Sequence, residues 1–112
     1  MPLFLIQGSY TAEAWQALLN KPEDRREALR PVLEKLGGRM VHSWYTFGQH
    51  DFVGIVELPD NVSAAAFSLA QTAGGALRSL ETTPLLEFAE GLEAMKRASK
   101  AGYRSPGKIA TD

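Results

Sequence analysis

The sequence predicts a single α+β domain whose strands and helices follow the order β-α-β-β-α-β, with one further helix after the last strand. Three observations predict it. Residues 40–47 and 52–58 are rich in β-branched and aromatic side chains and flank the turn-forming Gly48-Gln49-His50-Asp51, the pattern of a hairpin. On either side of that hairpin lies a helical stretch ended by a glycine pair, Gly37-Gly38 and Gly74-Gly75. Outside these come two more strand-like runs, residues 3–9 and 76–83. A length of 112 residues fits one such domain.

The elements follow in order. Residues 3–9 are too short and too continuously apolar for a helix. Thr11 is a fitting N-cap for a short helix through Leu19, with Glu13 near the positive end of its dipole. Asn20-Lys21-Pro22 breaks that helix, and Pro22 suits the first turn of the next, which spans residues 23–36. There Leu29, Val32, Leu33 and Leu36 form one apolar stripe, and Pro31 is expected to kink the segment.

With Gln49 and His50 as a two-residue turn, the hairpin would place Phe47 opposite Phe52, Tyr45 opposite Gly54, Trp44 opposite Ile55 and His42 opposite Glu57. Asp60 or Asn61 then caps a helix over residues 62–73. Its many alanines allow close approach to a sheet, with Phe67 and Leu69 as the larger contacts. Pro84 is expected to start the last helix, whose stripe is Leu85, Phe88, Ala89, Leu92 and Met95. Lys96, Arg97 and Lys100 crowd its final turn, where positive charge suits the helix dipole.

This order is the split-βαβ, or ferredoxin-like, arrangement with a four-stranded antiparallel sheet. Leu3-Phe4-Leu5-Ile6 and Val53-Gly54-Ile55-Val56 are apolar on both faces, as strands buried on both sides are. One layer of helices covers one face only. A second copy of the chain, paired sheet to sheet, is therefore expected on the other. The domain is expected over residues 1–98. Residues 99–112 form an aperiodic tail expected to rest on a neighbouring subunit through Tyr103, Arg104 and Pro106.

Twelve basic and thirteen acidic residues give a net charge of −1, which supplies no general attraction to nucleic acid or anionic membrane. No cysteine is present, so disulfides, thiolate ligands and a thiol nucleophile are excluded together. The N-terminal run is too short for a signal peptide, and no window approaches the ~18 apolar residues of a membrane span. A soluble, unprocessed cytoplasmic protein is expected.

Leu36-Gly37-Gly38, the run from Trp44 through Asp51, the strand from Val53 to Glu57 and Pro59-Asp60 together resemble the GYD-domain family. The similarity covers roughly residues 2–92 and includes the surroundings of Pro22, Arg25 and Arg78. Gly48 and Asp51 match the Gly-x-Tyr-Asp signature, and His50 stands where tyrosine is usual. The resemblance implies a dimeric α/β barrel, usually bacterial, with no well-established activity.

The residues themselves offer several candidate sites. His50 is a candidate general base, with Asp51 orienting it; alternatively Gly48 and Asp51 are turn residues bonding local backbone. Arg78 is a candidate anion holder, or an ion-pair partner of Glu57, Glu81 or a neighbouring chain. Tyr10, Trp44 and Tyr45 are candidate pocket walls, and His42 pairs with Glu57 as a shuttle, a ligand pair or a plain cross-strand contact. Roughly 26 Å of strand separates the two histidines, so one chain cannot join them at a metal. No metal and no cofactor are expected. The leading expectation is a homo-oligomer that binds a small molecule without catalysis. The alternative is a cofactor-free enzyme, monooxygenase- or isomerase-like, with His50 as base.

Overall fold

The computed structural model describes residues 1–107. It contains β1 (Leu3–Tyr10), α1 (Ala12–Asn20), α2 (Arg25–Lys35), β2 (Arg39–Tyr45), β3 (Phe52–Glu57), α3 (Asn61–Ala73), β4 (Leu77–Leu85) and α4 (Phe88–Ala98). The strands form one antiparallel sheet in the order β2-β3-β1-β4, a ferredoxin-like α+β fold.

Local chemistry starts and stops the helices largely where the sequence indicates. Thr11 Oγ1 accepts from Ala14 N at 3.1 Å and caps α1. Asp24 Oδ1 accepts from Arg26 N at 3.0 Å and caps α2, so Pro22 precedes that helix instead of opening it. Asp60 Oδ1 accepts from Ser63 N at 2.8 Å and caps α3. The α2 helix runs unbroken across Pro31.

The core lies between the sheet and helices α2 and α3. Phe4, Ile6, Val56 and Leu58 meet Leu33, Ala64 and Phe67, all buried, while Leu29, Val32 and Leu36 pack against them. Leu69 points away from this core and is exposed. Strand alternation places Leu3, Leu5, Val53 and Ile55 on the opposite face.

Three expectations are corrected. The β2–β3 pairing is Tyr45↔Phe52, Trp44↔Val53, Ser43↔Gly54 and His42↔Ile55, two residues away from the arithmetic of a two-residue turn. The loop between the strands spans residues 46–51, and its length sets the register. A slip of two leaves the side chains of residues 42–45 on their expected faces, because the strand repeat is two. A bulge between Met40 and His42 then returns Arg39 to Glu57. Consequently Glu57 accepts from Arg39 at 2.9 Å and His42 is not its partner. Finally, Pro84 belongs to β4, opposite Phe4, and α4 starts four residues later. β4 is an edge strand, where a missing N–H leaves no ladder bond unmade.

The last helix stands off the body. No residue of α4 is buried, and Phe88 is 97% exposed. The radius of gyration is 18.6 Å, against about 13 Å for a compact domain of this length. Residues 101–107 of the tail carry no helix or strand, and Tyr103 is exposed. The rest of the tail, residues 108–112, lies outside the described residues.

Candidate functional site

The helix-covered face of the sheet does not close completely. Between α2, α3 and the β2 half of the sheet lies a cavity of about 590 Å³. Ile6, Met40, Ser43, Phe52 and Gly54 form its floor, with Leu29 and Val32 of α2 and Phe67, Ala70 and Gln71 of α3 above them. It exists because α3 presents alanines where a bulkier helix would fill the space, as at Ala70.

One end of the cavity is polar and aromatic. Tyr10, Tyr45 and Arg25 line it, and Trp44 borders it from a strand position paired with Val53, its ring against His42. The Tyr10 ring lies 5.2 Å from Phe52 and 5.1 Å, edge on, from Trp15, and Trp15 lies 6.1 Å from Tyr45. Burial pushes the Tyr10 phenol above its ordinary value; Tyr45 adds to the rise and Arg25 partly opposes it. Tyr10 is thus a neutral hydrogen-bond donor throughout the physiological range. The Arg25 guanidinium donates to Glu23 at 2.7 Å at the rim. Beside it, hydrogen bonds from Arg26 hold the Asp24 carboxyl down at about 2.

Asp51 does something different. One of its carboxylate oxygens, Oδ2, accepts from Tyr10 N at 2.9 Å and from the Trp15 indole Nε1 at 3.0 Å. Its backbone N donates to Gly8 O, and its carbonyl accepts from Thr46 N, both at 2.8 Å. Three of these bonds tie the hairpin loop to β1 and α1, and the fourth closes the loop on itself. Because the junction of β1 and α1 carries Tyr10 and Trp15, Asp51 positions the aromatic end of the cavity.

His50 lies apart from the cavity. Its ring is only 16% exposed, with Nε2 3.6 Å from a Glu81 carboxylate oxygen. Nδ1 is buried without a hydrogen-bond partner among the described residues. Asp51 bonds Tyr10 and Trp15, as above. His42 stacks edge-on against Trp44 at 4.3 Å on exposed β2. Arg78 is exposed on β4, at the irregularity where Tyr10 pairs with Leu77 and Ser9 with Ser79. Of the sequence candidates, then, Tyr10 and Tyr45 share the cavity, Trp44 borders it, and His42, His50, Asp51 and Arg78 do not line it.

The cations that line the cavity are Arg25 and Arg26, of which the sequence marks Arg25 only through the resemblance around Pro22 and Arg25. Their signal was available in one respect: a helix capped at Asp24 points its first residues at the sheet end carrying Tyr10 and Tyr45. Among the described residues no group of three or more His, Asp or Glu side chains is placed to hold a metal ion. No described helix is long and apolar enough to cross a membrane.

The glutamine synthetase and cystathionine beta-lyase binding protein of Thermus thermophilus is 27% identical over 90 residues, which cover 79% of this chain and 95% of the relative. The model of the GYD domain matches residues 4–95, from the first strand into α4 and across the loop bolted by Asp51, and the chain belongs to that family.

Proposed function

We propose that this chain is a homo-oligomeric binding protein that holds a small, largely apolar molecule in the cavity between its helices and sheet, without catalysing a reaction on it. The cavity carries this reading. Its size falls within the roughly 300–1,000 Å³ usual for small-molecule sites, and its walls are mostly apolar with few polar groups at one end. Tyr10, Tyr45 and Arg25 would orient the polar part of the ligand, while Phe52, Phe67 and Leu29 hold its body. In this reading the protein works in the cytoplasm, uses no cofactor and engages neither nucleic acid nor membrane.

The apolar open face of the sheet, with Leu3, Leu5, Val53 and Ile55, supports pairing with a second copy. Residues 99–112 would rest on a neighbouring subunit. The name of the Thermus relative speaks of binding enzymes. That supports a second reading for this chain, an accessory protein that docks on an enzyme and is adjusted by its ligand. The cofactor-free enzyme with His50 as base and Asp51 as its orienter has less behind it, since both residues lie off the cavity and Asp51 is bonded to Tyr10 and Trp15.

Native mass spectrometry of gently purified protein tests the proposal. An oligomer carrying extra small-molecule mass is expected, and Ala70→Trp, which fills the cavity, should abolish that mass while leaving the oligomer intact. Retention of the molecule by Ala70→Trp would overturn the assignment of the site. His50→Ala should leave the retained mass unchanged. Against an identified substrate, a loss of roughly 10²–10⁴ in turnover for His50→Ala would favour the enzyme instead.

A further inference from the structure

The polar end of the cavity is built from donors. Tyr10, Tyr45 and Arg25 meet there, and Arg25 and Tyr45 both stand close enough to the Tyr10 phenol to shift its proton equilibrium. Burial keeps that phenol neutral, so its hydroxyl has a proton to give.

The two carboxylates of the lining are already engaged. Asp24 accepts from Arg26 N at the start of α2, and the Arg26 side chain grips it with Nε and Nη2 at 3.0 and 2.6 Å. Glu23 accepts from Arg25 Nη1 at 2.7 Å. That bond leaves Arg25 its Nε–H and Nη2–H edge, the edge with which Arg26 holds Asp24. Among the described residues that edge of Arg25 makes no hydrogen bond. Arg25 is also the more sheltered of the two, its side chain 34% exposed against 66% for Arg26.

We propose, resting on the small-molecule reading of this cavity, that its ligand is a monocarboxylic acid. The carboxylate lies on the free edge of Arg25 beside the Tyr10 and Tyr45 hydroxyls, and the apolar body lies between Leu29, Phe52 and Phe67. A guanidinium edge and a carboxylate match in two parallel bonds, and partial burial strengthens them. A cationic head would meet Arg25 and Arg26 with both nearby carboxylates already bonded. A phosphate carries more charge than the one guanidinium with free donors can answer. Glu23, Asp24, Arg25 and Arg26 sum to no net charge, so the direction of the free donors makes the selection. The half-exposed Glu23 then competes with the ligand for Arg25.

Three probes with one body and different heads test this: the β-isomers of naphthylacetate, naphthylacetamide and naphthylethylamine, titrated by calorimetry into the full chain near neutral pH. The acid is expected to bind about 10–100-fold more tightly than the amide, and the amine most weakly. Arg25→Met, with an unchanged circular dichroism spectrum, should bring acid and amide to equal affinity. Glu23→Gln removes the competitor and should strengthen the acid severalfold while leaving the amide unchanged, a gain that a damaged fold would not give.

An amide or amine that binds as tightly as the acid would overturn the carboxylate assignment and leave the cavity reading standing. So would an acid preference that survives Arg25→Met. Probe binding that survives Ala70→Trp would lie outside the cavity and overturn both. Wild-type protein that takes up none of the three would overturn the assignment as well, and the mass retained in the native spectrum then decides the cavity reading by itself.

Discussion

The two faces of the sheet are both apolar, yet they have had different fates within the chain. On one, Phe4, Ile6 and Val56 lie under α2 and α3 and are almost wholly buried. On the other, Leu3, Leu5, Val53 and Ile55 keep partial exposure, because only their strand neighbours shield them. Hydrophobicity alone does not separate these two sets. What separates them is which face the crossover helices occupy, and the connections of a split-βαβ unit put both helices on one side. The lesson is that an apolar strand reports how much surface wants cover and not what supplies it.

Adjacent residues on β3 sharpen that comparison most. Val56→Asp would bury an unpaired charge in the core and should leave no folded protein, as seen by loss of the cooperative urea transition. Ile55→Asp, one position away, should keep the urea transition and lower the oligomeric mass. Equal unfolding by both would mean that the open face is also needed inside the single chain.

Next in size is Phe67→Ala on α3, which removes a ring from the covered face and should cost about 3–5 kcal/mol in urea denaturation. Asp51→Ala should cost less, about 1–3 kcal/mol, because it leaves Tyr10 N and the Trp15 indole without their acceptor. Asp51→Asn keeps a carbonyl oxygen there and should recover part of the loss. A stability change for Asp51→Ala no larger than that of an exposed substitution would refute its role as the bolt of the loop.

The smallest effect concerns acid. Hydrogen bonds from Arg26 lower the Asp24 carboxyl in the folded state from 3.8 to about 2, and the Ser63 backbone N–H lowers that of Asp60. A carboxyl lowered on folding stabilises the fold above its unfolded value. That stabilisation fades as the pH falls from 3.8 toward about 2 for Asp24. Helix content followed by circular dichroism should therefore decline only in that acidic window through these caps. Asp24→Asn, which retains a capping oxygen, should flatten the part of the decline that belongs to α2.

Much of this was legible in the residues. Thr11, Asp60 and the two glycine pairs mark helix ends by chemistry acting within three or four positions. Leu29, Val32, Leu33 and Leu36 mark a buried stripe by their spacing. The hairpin register was not legible, since it hangs on a loop whose length is set by Thr46 and Asp51 pairing through their backbones. Pro84 resembles a helix start until the strand is known to lie at an edge. Tyr10, Trp44 and Tyr45 could be listed as aromatic wall candidates, but the meeting of Tyr10 and Tyr45 at one cavity, with Arg25 and Arg26 and not Arg78 beside them, needed the helices in place.

The sequence by itself determined the kinds of elements, their order and the number of apolar faces, because alternation, helical spacing, caps and breakers all act over a few residues. Only the tertiary structure decided what Asp51 holds. Its partners Tyr10 and Trp15 lie 41 and 36 positions away, and no local pattern carries a bond across that distance. The cavity has the same origin. It is the volume left when α2 and α3 settle on a twisted sheet, and its size follows from how their side chains meet, which no single segment encodes.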